Sequence, residues 1–163
     1  MDKDQLRKSI GDRVSQMSDK DRDIESRSVC RRIKELLPKE PCTICAYHPF
    51  KSEVDVRYLI KDLVDEGYEI YLPCFDIKGL KFRLFSGYAD LSPGQLGVME
   101  PSKSSKLLDP QGAKFVIVPG RAFDKLGNRL GRGNGGYDYF ISAQRGLNSD
   151  TRFLGVCFEC QIV

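Results

Sequence analysis

The sequence of 163 residues has no apolar run long enough to cross a bilayer; the longest, such as Phe115-Val116-Ile117-Val118, end after a few residues. Its N-terminus, MDKDQLRKSIGDR, is charged from the second residue and lacks the apolar stretch of a secretory signal. A cytoplasmic protein without a membrane partner is therefore expected. An excess of one charge is also missing, since 26 Lys and Arg stand against 23 Asp and Glu, a net +3. That balance excludes a dedicated nucleic-acid binder, whose basic residues would dominate a face, but permits a local basic cluster for a small anion. No repeat, low-complexity tract or linker divides the chain. Residues 1–163 are expected to form one domain, and a monomer, with a core that requires no staple or metal.

Histidine occurs once, at His48, and no Ser/His/Asp or Cys/His constellation is evident. The six cysteines include two C-x-x-C pairs, Cys42/Cys45 and Cys157/Cys160. Both lie in strand-like runs, where residues three apart point to opposite faces, so burial is the preferred reading over a zinc site.

Periodicity supplies the architecture. Leu6, Ile10 and Val14 mark a first helix. A second starts near Ser18, with Asp21 as a capping signal, carries Ile24, Val29, Ile33, Leu36 and Leu37 inward and stops at Pro38. A strand over 43–47 is followed by a helix over about 52–66, with Val54, Leu59, Ile60, Leu63 and Val64 buried and Gly67 ending it. Residues 69–72 read as a strand closed by Pro73, and 80–84 as a half-exposed edge strand. The stretch 86–111 reads as a long loop. An apolar strand over 114–118, a helix over 136–145 and a strand over 152–158 complete the chain. This alternation predicts an α/β fold: a single three-layer domain whose mostly parallel sheet is flanked by helices. Ligands in such folds bind at the carboxyl ends of strands, where the loop after Val118 lies.

That loop reads PGRAFDKLGNRLGRGNGGYDYF over residues 119–140 and places Gly127, Gly131, Gly133, Gly135 and Gly136 among Arg129 and Arg132. Glycines let backbone N–H groups approach a ligand, guanidinium forks suit phosphate oxygens, and a helix starting at Gly136 adds its positive end. A mobile surface hairpin is the alternative, disfavoured by the length and glycine density of the run. The string G-x-G-x-x-G formed by Gly131, Gly133 and Gly136 lacks the strand and acid of a dinucleotide fingerprint, and no G-K-[ST] makes it a Walker loop. Asp138 could hold magnesium beside a triphosphate or serve as a first-turn acid. Lys3 and Arg7 share a helix face, either as a solvated basic surface or opposite an anion. Glu53 and Asp55 could accept from the N–H groups of a ligand ring or be first-turn acids. His48 beside Pro49 is not read as catalytic.

Taken together, these segments resemble the 5-formyltetrahydrofolate cyclo-ligases. The resemblance rests on Lys3-x-x-Leu6-Arg7, Glu53-Val54-Asp55, Leu72-Pro73 and Gly97-Val98-Met99-Glu100-Pro101. Most specific is the long motif from Pro119-Gly120-x-x-Phe123-Asp124 through Gly127-Asn128-Arg129-Leu130-Gly131-Arg132-Gly133. It implies an ATP- and magnesium-dependent ligase that converts 5-formyltetrahydrofolate to 5,10-methenyltetrahydrofolate, releasing ADP and phosphate. By position, Lys3 and Arg7 would contact ATP phosphate. Arg129, Leu130, Gly131, Arg132, Gly133, Asn134, Gly135, Gly136 and Tyr137 would wrap the triphosphate, with Arg132 also near the transferred group. Asp138 would bind magnesium, Glu53 would hold the pterin ring, and His48 would lie beside the folate. Two departures stand out. Gly136 replaces the first Tyr of the family's Tyr-Tyr-Asp, which removes a ring that could wall the folate pocket. The sequence also ends at Val163, before a further strand and a later Asp that the family carries. A homologue that binds nucleotide or formyl-folate without turnover is the alternative these departures suggest.

Overall fold

A computed structural model describes residues 2–163. Helix α1 (Lys3–Gln16) is started by Asp2, whose carboxylate accepts from the Asp4 and Gln5 amides while the Gln5 side chain answers the Asp2 amide. Helix α2 (Asp19–Leu36) starts at Ser18, whose hydroxyl accepts from the Asp21 amide. Strand β1 (Thr43–Cys45) precedes α3 (Arg57–Asp65), β2 (Glu69–Asp76) and β3 (Gly79–Leu84). A small hairpin of β4 (Ser92–Pro93) and β5 (Met99–Glu100) then leads to β6 (Ala113–Pro119). A second hairpin, β7 (Ala122–Phe123) with β8 (Arg129–Leu130), leads to α4 (Gly136–Leu147) and β9 (Arg152–Val156).

The main sheet has the order β3-β2-β1-β6-β9, with every pair parallel except β2–β3. Strand alternation divides the core into two layers. Ile44, Ile70, Leu72, Phe115 and Ile117 pack with Ile10 of α1, Ile33 of α2 and Ile60 of α3. Cys45, Tyr71, Val116 and Val118 point to the opposite face, against Phe140 and Ile141 of α4. The three-layer α/β arrangement is as the alternation predicted. The chain moves from β1 to β2 in one direction, through α3 on one face. It moves from β6 to β9 in the other direction, through α4 on the other face. The crevice between the carboxyl ends of β1 and β6 is therefore where strand order reverses, the place such sheets offer to a ligand.

Several expectations need correction. Strand β2 continues through Pro73, which pairs with Phe82 of β3. Proline is tolerated there because β1 has already ended, its last partner on β2 being Tyr71, so no ladder on that side needs the missing N–H. The third helix begins at Arg57 instead of residue 52, because residues 50–53 form a closed turn: the Glu53 amide donates to the Phe50 carbonyl at 2.9 Å, and the Phe50 amide donates to Glu53 Oε2 at 3.0 Å. On α2 the inward face runs Ser26, Cys30, Ile33, while Ile24 and Leu36 are exposed, as is Val64 on α3. Ser26 takes an inward position because its hydroxyl accepts from the Asp55 amide at 3.0 Å. The expected loop 86–111 contains the β4–β5 hairpin. Cys42 precedes β1, and Cys157 and Cys160 follow β9, so only Cys45 of the two pairs lies within a strand.

Candidate active site

The crevice at the switch point opens into a cavity of about 420 Å³. The chain leaving β1 supplies Tyr47, His48, Phe50 and Glu53; the chain leaving β6 supplies Gly120 and Arg121, then Arg129, Gly131, Arg132, Asn134 and Tyr137. Phe75 from β2 and Val98 from the small hairpin add an apolar wall. A cavity of this size, with apolar walls and a few convergent polar groups, is suited to a small-molecule ligand.

Half of the glycine-rich loop is ordered by its own side chains. Asp124 closes the β7–β8 turn, accepting from the Leu126 and Asn128 amides at 2.9 and 2.8 Å and from Asn128 Nδ2 at 2.8 Å. The hairpin reading thus holds for residues 122–130, but the hairpin is pinned, with the Phe123 ring lying over Gly120, where a Cβ would stand 2.5 Å from it. Beyond Leu130 the loop bends through Gly133 and Gly135, at φ +104° and +71°, conformations that glycine adopts without strain. Gly135 precedes α4, and no side-chain cap covers the first amides of that helix apart from a long contact between Asn134 Oδ1 and the Gly136 amide, 3.4 Å. That end remains open to an anion.

The arginines have distinct surroundings. Arg7 reaches from α1 to donate from Nε to the Gly131 carbonyl at 2.9 Å and pairs with Asp4 at 2.6 Å. Asp4 relieves the like-charge spacing of Lys3 and Arg7. Lys3 is exposed on the first turn and makes no bond to the loop among the described residues. Arg132 donates to Glu53 Oε1 at 3.0 Å and lies 4.1 Å from the centre of the Phe50 ring. Arg129 is half-buried, donating to Asp138 Oδ1 at 2.6 Å and to the Pro119 carbonyl at 3.2 Å. Its Nε and the Tyr137 hydroxyl are buried without a partner. Asp138 itself is exposed.

Of the residues singled out in the sequence, His48, Glu53, Arg129, Gly131, Arg132, Asn134 and Tyr137 line the one cavity. Burial, with the charge of Arg57 second, holds the His48 imidazole below its ordinary pKa. The ring whose loss at Gly136 was expected to open the wall has a counterpart: Phe75 Cε1 lies 3.2 Å from where a Gly136 Cβ would stand. Sequence reasoning missed Phe75 and Arg121. The one available signal for Arg121 was its place immediately after a buried central strand. No group of three or more His, Cys, Asp or Glu side chains able to hold a metal occurs among the described residues.

The family model for 5-formyltetrahydrofolate cyclo-ligases matches residues 1–163. The probable 5-formyltetrahydrofolate cyclo-ligase of Schizosaccharomyces pombe is 31% identical over 173 residues, covering 99% of this chain and 85% of that protein. The 5-formyltetrahydrofolate cyclo-ligase of Haemophilus influenzae is 32% identical over 74% of this chain and 65% of its own length. The NMR structure of Aquifex aeolicus 5,10-methenyltetrahydrofolate synthetase superposes with a TM-score of 0.83 at 32% identity, covering 99% of this chain and 80% of that one. With the family model matching over its whole length and the fold shared with a solved relative, the chain belongs to the 5-formyltetrahydrofolate cyclo-ligase family.

Proposed function

We propose that the protein converts 5-formyltetrahydrofolate to 5,10-methenyltetrahydrofolate, using ATP and magnesium and releasing ADP and phosphate. The observation that carries this reading is a single cavity with the glycine–arginine loop on one side and Glu53 on the other, walled by Phe75 and Val98. The Arg132–Glu53 pair joins the two sides.

The residues present fit a nucleotide. Backbone amides of Gly131–Gly136 and the open end of α4 are donors for phosphate oxygens, and the unpartnered Arg129 Nε and Tyr137 hydroxyl are two further donors at the cavity. Arg132 supplies charge, Arg7 steadies the loop through Gly131, and Lys3 and Arg7 would contact ATP phosphate. Asp138 would hold magnesium, the remaining ligands being phosphate oxygens and water, as this cation accepts. When bound, ATP supplies the phosphoryl group that makes the formyl oxygen a leaving group. The neighbouring folate nitrogen then closes the ring. Glu53 accepts from N–H groups of the pterin and orients it, the Phe75 and Val98 wall excludes water, and His48 stands beside the folate. Phosphoryl transfer is catalysed by positioning and charge, so the lack of a protein nucleophile fits this chemistry.

Incubation with 5-formyltetrahydrofolate, ATP and magnesium, followed by methenyl absorbance, tests the reading. ATP-dependent product is expected. Tight binding of both ligands without product would overturn it in favour of a non-catalytic binder.

A further inference from the structure

We propose that Arg121 is a further catalytic residue, its guanidinium contacting the phosphoryl group in passage from nucleotide to formyl oxygen. The inference rests on the cyclo-ligase reading above and on three observations that reading does not use.

The first is charge. Each of the other three arginines around the loop has a carboxylate at 3.0 Å or less: Arg7 has Asp4, Arg129 has Asp138 and Arg132 has Glu53. Arg121 lines the same cavity and has no carboxylate partner and no side-chain hydrogen bond among the described residues. A half-buried, unpaired guanidinium is costly, and it cannot shed its proton. Burial, reinforced by the charge of Arg132, acts against its cation. An anion arriving in the cavity offsets that cost. The free protein is one negative group short.

The second is position. The charges that bear on Arg121 are Arg132, Glu53 and Arg7. Arg121 lines the same cavity as Glu53 and Arg132, the pair that joins the pterin and loop sides of the proposed site, so a group passing from one side to the other crosses the cavity that Arg121 lines. The phosphates shared by ATP and ADP belong farther along the loop, toward the open end of α4.

The third is rigidity. The Arg121 amide donates to the Leu130 carbonyl at 2.7 Å. Its carbonyl, and that of Gly120, accept from Gln161 Nε2 at 2.8 and 3.1 Å. Gln161 is buried, and its Oε1 accepts in turn from the Phe158 amide at 2.8 Å. These bonds fix the backbone from which the Arg121 side chain reaches the cavity, while its guanidinium donors stay free for an anion. In the step itself a bond forms from the formyl oxygen to phosphorus. The bond from phosphorus to the ADP oxygen breaks, and ADP leaves with the electron pair. Arg121 neither gains nor loses a proton.

The test combines calorimetric titration with magnesium-ATP and magnesium-ADP and steady-state kinetics, on the full chain and on Arg121→Leu and Arg121→Lys. The leucine variant should lower kcat about a hundredfold. It should weaken ATP about tenfold and leave ADP within twofold, the size of one charge-assisted bond to the group ADP lacks. The lysine variant keeps the charge, should recover part of both losses, and keeps the test readable should leucine impair folding. Equal losses for ATP and ADP would place the side chain on the shared phosphates and overturn the proposal. So would no change in either, or a change confined to the KM of polyglutamylated folates. A wild-type protein that makes no methenyl product yet shows the Arg121-dependent gap between ATP and ADP would overturn the cyclo-ligase reading and leave this contact standing.

Discussion

Arg132→Ala removes the side chain that touches both halves of the cavity. In the free protein its guanidinium is held by Glu53 Oε1 at 3.0 Å and by Ser52 Oγ at 3.3 Å. A nucleotide phosphate competes for the same donors. A charge-assisted bond to phosphate contributes about 1.5–3 kcal/mol. The competing pair has side chains 33% and 12% exposed, and at that exposure its worth is about 1 kcal/mol. The difference, about 0.5–2 kcal/mol, corresponds to an affinity for magnesium-ATP weakened about 2- to 30-fold, measurable by calorimetry. Glu53→Gln removes the competing charge, so the same titration should show ATP binding tightened up to about fivefold. In the Arg132→Ala background, Glu53→Gln should change ATP affinity little, and this non-additivity is the signature of the pair. Wild-type ATP affinity in Arg132→Ala would refute the phosphate role of this side chain. Strictly additive effects would refute the competition between Glu53 and phosphate.

Asp138→Asn should shift the magnesium titration of activity to severalfold higher concentration, and an unaltered titration would remove Asp138 as the metal's protein ligand. Gln161→Ala leaves the Gly120 and Arg121 carbonyls and the Phe158 amide without their buried partner. It should cost about 3 kcal/mol in urea unfolding; a loss below about 1 kcal/mol would mean that the clamp carries little of the fold. The third variant concerns pH. Burial and Arg57 hold His48 below its ordinary 6.5, so the unfolded chain binds the proton more readily than the folded one. The stability His48 contributes is therefore complete above that value and falls as pH drops through it. His48→Gln should flatten that part of a plot of urea midpoint against pH, and identical slopes in the two proteins would exclude the effect.

Where one physical signal dominated, the sequence was a sufficient guide. Helix α1, the buried strand β6 and the glycine–arginine loop each carry a strong local pattern, and each stands where that pattern placed it. Misreadings arose where tertiary contacts decide. Val54 and Val56 are buried like helix residues, yet the closed turn between Phe50 and Glu53 keeps them outside α3. That turn also aims Glu53 into the cavity. Pro73 reads as a strand breaker unless the end of the neighbouring strand is known. Arg121 carries no motif of its own. Its character comes from which carboxylates are already taken, and side-chain pairing across Asp4, Glu53 and Asp138 is invisible in one dimension.

The bond from Arg7 to the Gly131 carbonyl spans 124 positions of the chain. The two partners of this contact are thus separated by most of the described fold. An emerging polypeptide can pair β1 with β2 early, since those partners are close in sequence. Ordering so distant a contact carries a larger entropic penalty and belongs to the last stage of assembly. On the proposed reading, fragments that keep the glycine-rich stretch but not the first helix should therefore bind ATP poorly.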